Sequence, residues 1–358
     1  MKKILKRWTS LSKKSRDGFI NYAIVIVFFI VFQSMLSAGK LSNSLSGQLV
    51  PICVYVVVAL ALNLVVGISG ELSLGQAGFM SVGAFTGVIV STCLQNSVTN
   101  GPLRLAIAIV IGAIVAGIAG VLIGIPVLRL RGDYLAIVTL AFGEIIKNIL
   151  NCLYVGVDSH GLHFGMTDIP SLGMEADGIT IINGPMGAVG ITKISTFLAG
   201  IILVILALFI IQNLINSRTG RAIMAIRDNR IAAEACGLNI TKYKLVAFVT
   251  SAAIAGAAGV LYGLNFSTIV PKKFDFNTSI LILVFVVLGG IGNMRGTLFA
   301  ATILYILPEM LRQFKDYRML IYAIVLIVVM LATNNEKAKA FLQKILVKLK
   351  LKKIKEDE

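Results

Sequence analysis

Long apolar runs constrain this chain more than any other feature. Leu49 to Val66, Leu103 to Val127, Ile194 to Ile215 and Leu245 to Leu264 each approach or pass the ~20 residues that cross a bilayer core, and they are continuous rather than alternating. Continuity excludes a transmembrane β-barrel, whose strands alternate with period two. Charged residues make up 14% of the chain, against about 25% in ordinary soluble domains. The expected fold class is therefore all-α, a polytopic transmembrane helical bundle.

The net charge is +16. In a soluble protein such a balance suggests nucleic acid. Here the charge lies in tails and short loops and follows the positive-inside rule, so nucleic acid is not an expected partner. Met1 to Arg16 carries seven Lys/Arg, and Glu336 to Glu358 carries eight Lys. Both termini are thus expected in the cytosol, which requires an even number of spans. The apolar run after Arg16 has no small-residue cleavage site and reads as a retained first helix. Cys53, Cys93, Cys152 and Cys236 have no paired or metal-like spacing, so neither a disulfide nor a metal site is expected.

About ten spans follow from the runs. They are Phe19–Ser37, Leu49–Val66, a helix to about Leu94, Leu103–Val127, Tyr134–Leu153, Ile194–Ile215, Leu245–Leu264, Ser279–Leu288, one after Arg295, and Met319–Ala332. Arg129 and Arg131 mark a cytosolic turn. Residues 154–194 hold Asp158, Asp168, Glu175 and Asp177 against one strong base, Lys193, and are expected outside as a loop. Arg312, Lys315 and Arg318 fit this count badly, because it places them outside. Residues 1–18 form a basic N-terminus, 19–333 the transmembrane domain and 334–358 a Lys-rich tail. In that tail Phe341, Leu342, Ile345, Leu346 and Leu349 have the spacing of an amphipathic helix on membrane lipid. Five spans per half would make an inverted repeat, a common transporter plan. Each half has one glycine-rich break, Gly67–Gly78 and Gly289–Gly296. Gly120/Gly124 and Gly259/Gly263 are GxxxG pairs that favour close helix packing.

Three stretches hold polar chemistry. Ser217 to Leu245 is a basic segment between two apolar runs, with Arg218, Arg221, Arg227, Arg230, Lys242 and Lys244 against Asp228 and Glu234. A helix is expected from about Arg221 to Cys236, ended by Gly237. Charge alone leaves two uses open, docking a soluble partner or anchoring to anionic lipid. Gly67–Gly78 is a non-helical break. At membrane depth such backbone is tolerated only inside protein or beside water, and Gly70, Glu71, Ser73 and Gln76 are then candidates for the solute path. The alternative is a solvated cytosolic loop. Glu144 and Lys147 share one helix face with Asn148 and Asn151. A structural pairing and a solute contact both remain open for Glu144 and Asn148. His160 and His163 have i,i+3 spacing without a third metal ligand. The acidic outer segment suits a docking partner by charge, and equally suits solvent.

Ser217-Arg-Thr-Gly-Arg221, Ala225-Ile-Arg-Asp-Asn229, Ile231-Ala-Ala-Glu-Ala-Cys-Gly237 and Lys242-Tyr-Lys-Leu-Val-Ala-Phe248 resemble the coupling loop of branched-chain amino-acid ABC importer permeases of the LivM type. The Glu234-Ala235 pair followed by Gly237 is similar to the wider EAA-type motif that docks on an ATPase. Arg129–Leu140, Gly143-Glu-Ile145, Gly70–Phe79 and Gly289–Gly296 also resemble the family pattern, and the resemblance covers about residues 50–333. Gln76 departs from it, where a His is usual. The resemblance implies a bacterial plasma-membrane importer with a second homologous permease, two ATP-binding subunits and an extracytoplasmic solute-binding protein. It implies ATPase coupling through Arg221, Arg227, Asp228, Arg230, Glu234, Ala235 and Gly237. The chain itself has no G-x-x-x-x-G-K-[ST] loop. ATP and Mg are thus expected on partner subunits, with no cofactor or catalytic residue here. The alternatives are a permease of the same architecture for a sugar or urea, and an ion-coupled secondary carrier.

Overall fold

The computed structural model describes residues 13–39, 43–95, 97–130, 133–158, 160–174, 178–311, 317 and 320–327. The expectations for residues 1–12, Arg131, Glu175, Asp177, Arg312, Lys315, Arg318 and the C-terminal tail lie outside these. The chain divides into two compact units, Met1–Thr302 and Ile303–Glu358. The described part of the second holds the end of one helix, to Met310, and a helical stretch at 320–327.

The helices of the first unit follow the apolar runs closely, apart from two short ones in the basic segment. They are α1 (Lys13–Ser37), α2 (Asn43–Asn63), α3 (Gln76–Cys93), α4 (Gly101–Val127), α5 (Asp133–Cys152), α6 (Phe197–Asn216), α7 (Arg218–Asp228), α8 (Arg230–Ala235), α9 (Ile240–Gly263), α10 (Phe276–Gly289) and the first part of α11 (Met294–Met310). Among the described residues, six helices are long and apolar enough to cross a membrane: Ser44–Ser69, Gln76–Cys93, Gly101–Val127, Tyr134–Cys152, Phe197–Asn216 and Ile240–Gly263. Asn21–Leu36 and Phe276–Gly289 are shorter apolar helices. The chain is a polytopic helical membrane protein.

Burial separates the centre of the bundle from its rim. The most apolar window of the Ser44–Ser69 span is 94% buried, while that of Tyr134–Cys152 is 22% buried. A helix that is apolar all round belongs in a core, and Val54, Val57, Ala59, Leu60, Ala61 and Leu62 of α2 are closed off on every side. Helix α9 packs against α2, α3 and α4. Its contact with α3 is made through glycine. A Cβ on Gly259 would overlap the Met80 carbonyl and lie 3.0 Å from the Ala84 nitrogen, and one on Gly83 would overlap Gly256. With no side chain between them, the two backbones touch, as small-residue ridges allow in lipid. On α4, Val110, Ile114, Ile118 and Leu122 recur on one exposed apolar face.

Helix is not the whole of the fold. The segment 154–194, expected as a loop, contributes β1 (Tyr154–Asp158), β2 (Gly161–Gly165), β3 (Ile179–Asn183) and β4 (Ala188–Val189). With β5 (Thr268–Ile269), which follows α9, they form an antiparallel sheet in the order β2-β1-β3-β4-β5. Buried Val155 and Ile182 are cross-strand partners on its inner side. The sheet lies at the C-terminal end of α9, opposite α7 and α8.

Candidate coupling and translocation site

The basic segment folds as two short helices instead of the single helix expected from Arg221 to Cys236. Asn229 interrupts it. Its backbone is extended, at φ −150° and ψ 101°, so it ends α7, and its side-chain oxygen then accepts the Ala232 N–H to cap α8. Asn at such a junction satisfies the orphan donors of the second helix. Ser217 caps α7 in the same way by accepting from Gly220 N–H, and Asn239 caps α9 through Lys242 N–H. Gly237 sits at φ 80°, a left-handed conformation that closes α8 as expected. Ile226, Ala233 and Ile240 form a small core beneath. Above it Arg221, Glu234, Ala235 and Gly237 are exposed and Arg230 is half-buried. Ile231 is 81% exposed, an apolar side chain on this surface that charge-based reading passes over.

Arg227 is turned the other way. Its Nη1 donates to the carbonyl of Gly67 at 2.9 Å, and its Nε and Nη2 donate to Asp228. Its side chain lies against Gly70, which adopts φ 74° and has no room for a Cβ there. Lys244, at the start of α9, pairs with Glu71, and both side chains are 12% exposed. The basic segment is thus bonded directly to the glycine-rich break.

That break has an unusual course. After Asn63 the helix widens into a π-turn, Leu64–Ser69, and the chain then runs without helix until Gln76. Glu71 is level with Lys244 of α9, whereas Gln76 Nε2 donates to Ser251 Oγ at 3.2 Å. Lys244 and Ser251 are seven residues apart, about 10 Å along a helix. The non-helical segment therefore climbs from the α7 end to the middle of α9. There Leu74 N–H donates to Thr139 Oγ1 of α5, and Ser251 Oγ donates to the Ala61 carbonyl of α2. Irregular backbone at such depth needs internal partners, and these supply them. Ser73 is 1% exposed and its Oγ has no partner among the described residues.

A second helix starts at the same depth. Asp275 caps α10 by accepting from Thr278 N–H, and Ser279 Oγ accepts from Ala77 N–H of α3 at 3.2 Å. Helix α10 has 14 residues, about 21 Å, too short to cross a ~30 Å core. Helices α3 and α10 thus meet N-terminus to N-terminus. Beside the junction is a crevice lined by Leu74, Leu140, Gly143, Glu144, Asp275 and Ser279, among others. Glu144 is paired with Lys147. Asn148 is exposed one turn further along α5 and is not part of that lining.

The two glycine breaks also meet. Asn63 is fully buried. Its Oδ1 accepts Gly292 N–H at 2.8 Å, and its Nδ2 donates to Thr297 Oγ1 at 2.8 Å. Gly67 lies directly against Gly292. Nothing in the local sequence around Asn63 announces this role, because its partners are more than two hundred residues away. Asn63→Leu is expected to leave the buried Gly292 N–H unpaired at about 1–3 kcal/mol, while Thr297 Oγ1 keeps its bond to the Asn293 carbonyl and loses only the one it accepts. Thermal unfolding of the purified chain in detergent should show the loss, and an unchanged midpoint would contradict it.

The bundle of apolar helices and the broken helices that meet inside it define a polytopic integral-membrane protein. Residues 44–330 match the family described as branched-chain amino acid transport system / permease component, and the chain belongs to that family. It is 36% identical over 331 residues to the high-affinity branched-chain amino acid transport system permease protein LivM of Salmonella typhimurium, covering 86% of this chain and 72% of that one. It is 36% identical over 298 residues to LivM of Escherichia coli, covering 78% of this chain and 66% of the relative. Identity to the ribose import permease protein RbsC of Haemophilus influenzae is 26%, over 87% of this chain and 91% of that one. No solved structure matches the chain.

Proposed function

We propose that this permease subunit moves a branched-chain amino acid (leucine, isoleucine or valine) across the bacterial plasma membrane by alternating access, driven by partner ATPases. Two ATP-binding subunits, carrying ATP and Mg, dock on the face made by Arg221, Arg230, Ile231, Glu234, Ala235 and Gly237. A second homologous permease stands beside this chain. A solute-binding protein delivers the amino acid at the sheet end, which faces outward, and both termini are cytosolic. About ten spans in two inverted groups of five fit this plan, with α3 and α10 as corresponding broken helices.

The observation that carries the reading is the bonded link from the basic segment to the glycine break: Arg227 of α7 to Gly67, and Lys244 of α9 to Glu71. A push on the docking face reaches the break through the Arg227 side chain and the Lys244–Glu71 pair. In the middle, the N-termini of α3 and α10 present positive dipole ends to a solute carboxylate, with Ser73 and Gln76 adjacent and Glu144, paired with Lys147, lining the crevice. The carrier alternative needs free ionisable groups along the path, and here Glu71 and Glu144 are both held by lysines.

Uptake of labelled leucine into inverted or right-side-out membrane vesicles of the whole complex should require ATP on the side of the docking face. Reversing charge at Arg221 and Arg230 together should lower co-purification of the ATPase subunits at least ~10-fold, since rim charges set docking. Uptake driven by a proton gradient without ATP, or full co-purification of the reversed variant, would overturn the proposal.

A further inference from the structure

The two glycine breaks are joined by side chains that solvent does not reach. Asn63 and Thr297 are both 0% exposed. Asn63 is the last residue of α2, directly before the π-turn. Its carboxamide accepts the Gly292 N–H and donates to Thr297 Oγ1, and Thr297 Oγ1 donates in turn to the Asn293 carbonyl at 3.1 Å. Its Oδ1 also lies against Gly67, whose backbone touches Gly292 and whose carbonyl takes the Arg227 bond.

The end of α10 is pressed into the same place. A Cβ on Gly289 would overlap the backbone of Gly296 and Thr297, and one on Gly296 would overlap the Gly289 carbonyl. The last turn of α10, the second break and the first turn of α11 thus form one knuckle, and Asn63 fastens it to α2 beside Gly67. From this knuckle α10 runs 14 residues, ~21 Å, to the crevice. There its N-terminus meets that of α3 through the bond from Ala77 N–H to Ser279 Oγ, and Asp275 and Ser279 line the opening. Packed contacts, hydrogen bonds and rigid helices are what carry a displacement between distant sites. The bonds at Asn63 suit that task, because a buried donor or acceptor is costly to leave unmade where water cannot replace its partner.

We propose, resting on the coupling route described above, that Asn63 is a positioning residue that makes α10 the moving arm of the transport cycle. Displacement entering at Arg227 passes from Gly67 to the knuckle that Asn63 holds. The knuckle shifts α10 as a rod, and the far end of α10 parts from the N-terminus of α3. The opening at the crevice is then driven from the opposite end of a helix that does not itself touch the basic segment.

The test uses the complex assembled with its ATPase subunits. A spin label is placed at Asn277, exposed at the start of α10, or at Lys242, exposed at the start of α9. The reference label is at Ile114, 56% exposed on α4. Cys93, Cys152 and Cys236 are replaced by serine, and Cys53 is buried. Distances are measured without nucleotide and with a non-hydrolysable ATP analogue. Both labels are expected to shift by about 2 Å or more in the wild type, as helices do in switching transitions. In Asn63→Leu the Asn277 shift should be lost while the Lys242 shift remains. Thr297→Val, which keeps the side-chain shape without the hydroxyl, should reduce the Asn277 shift, and Thr297→Ser should restore it. If Asn63→Leu does not assemble, the two Thr297 variants decide. An Asn277 label that stays still in the wild type while Lys242 moves, or one that moves fully in both Asn63→Leu and Thr297→Val, would overturn the role of Asn63 and leave the coupling route standing. If neither label moves in the wild type, the coupling route itself fails, and the role of Asn63 with it.

Discussion

Gly259→Val in α9 is expected to leave almost no folded permease in the membrane. The new Cβ would enter the Met80 carbonyl, and the next nearest atoms, Met80 C at 2.9 Å and Ala84 N at 3.0 Å, are also backbone. A side chain in the way can rotate, but a helix backbone cannot. Helices α3 and α9 would have to part, and the neighbouring contact of Gly83 with Gly256 would open with them. Overpacking a well-filled core costs about 1–3 kcal/mol when side chains can yield. Here none can, so the cost is expected to exceed that range and to consume much of a typical 5–15 kcal/mol stability. Gly117→Ala is the control. Its Cβ would sit 3.6 Å from the Ala253 Cβ, an ordinary contact, so the change should be within about 0.5 kcal/mol. Monodisperse yield after detergent extraction compares the two. Equal yields would show that the α3–α9 contact is not as close as described.

Glu71→Lys is expected to abolish transport while leaving the protein assembled, and Lys244→Glu in the same chain should restore much of it. Both side chains are only 12% exposed, so the single change sets two like charges in a poorly solvated place. Breaking a buried pair costs about 3–5 kcal/mol, enough to displace the segment between Gly70 and Gln76 from the start of α9. The swapped pair rebuilds the attraction with opposite polarity, and a coupling of about 1–3 kcal/mol between the sites is expected. Solute uptake and ATP hydrolysis of the complex should be measured together. Loss of uptake with continued hydrolysis marks the pair as part of the coupling path. Wild-type uptake by Glu71→Lys would return the break to an ordinary loop.

The apolar runs were legible because the membrane imposes one length on every span. Leu103–Val127 and Phe197–Asn216 stand in the structure almost as their hydropathy places them. The basic segment stood out by its charge and its resemblance to a family, but its break was not legible. Asn229 reads as a polar surface residue until its extended backbone shows it closing one helix and capping the next. The sheet was concealed for another reason. Tyr154-Val-Gly-Val157 and Ile179-Thr-Ile-Ile182 carry strand-forming residues, yet the pairing of β4 with β5 joins segments separated by the whole of α6 to α9. Among the proposed path residues, Glu71, Ser73 and Gln76 lie together along one climbing strand of backbone, and Glu144 lines the crevice beside its upper end. Asn148 stays outside that crevice, because hydropathy places a residue on a helix face but not at a depth against its neighbours.

The β4–β5 pairing also sets where this molecule can give. At the sheet end, residues 188–195 are zipped by main-chain hydrogen bonds to 264–269, and such bonds have no substitute partner in a closed strand pair. At the other end the joints are side chains: Arg227, Lys244 and Asn63. Arg227 and Lys244 reach solvent and can exchange their bonds for water and take them back, while Asn63 stays enclosed. Stiffness therefore falls along the bundle from one face to the other, as in a clasp riveted at one end and buttoned at the other. Motion imposed on α7 and α8 is expected to be largest where it enters and smallest at the sheet, which keeps that end in register.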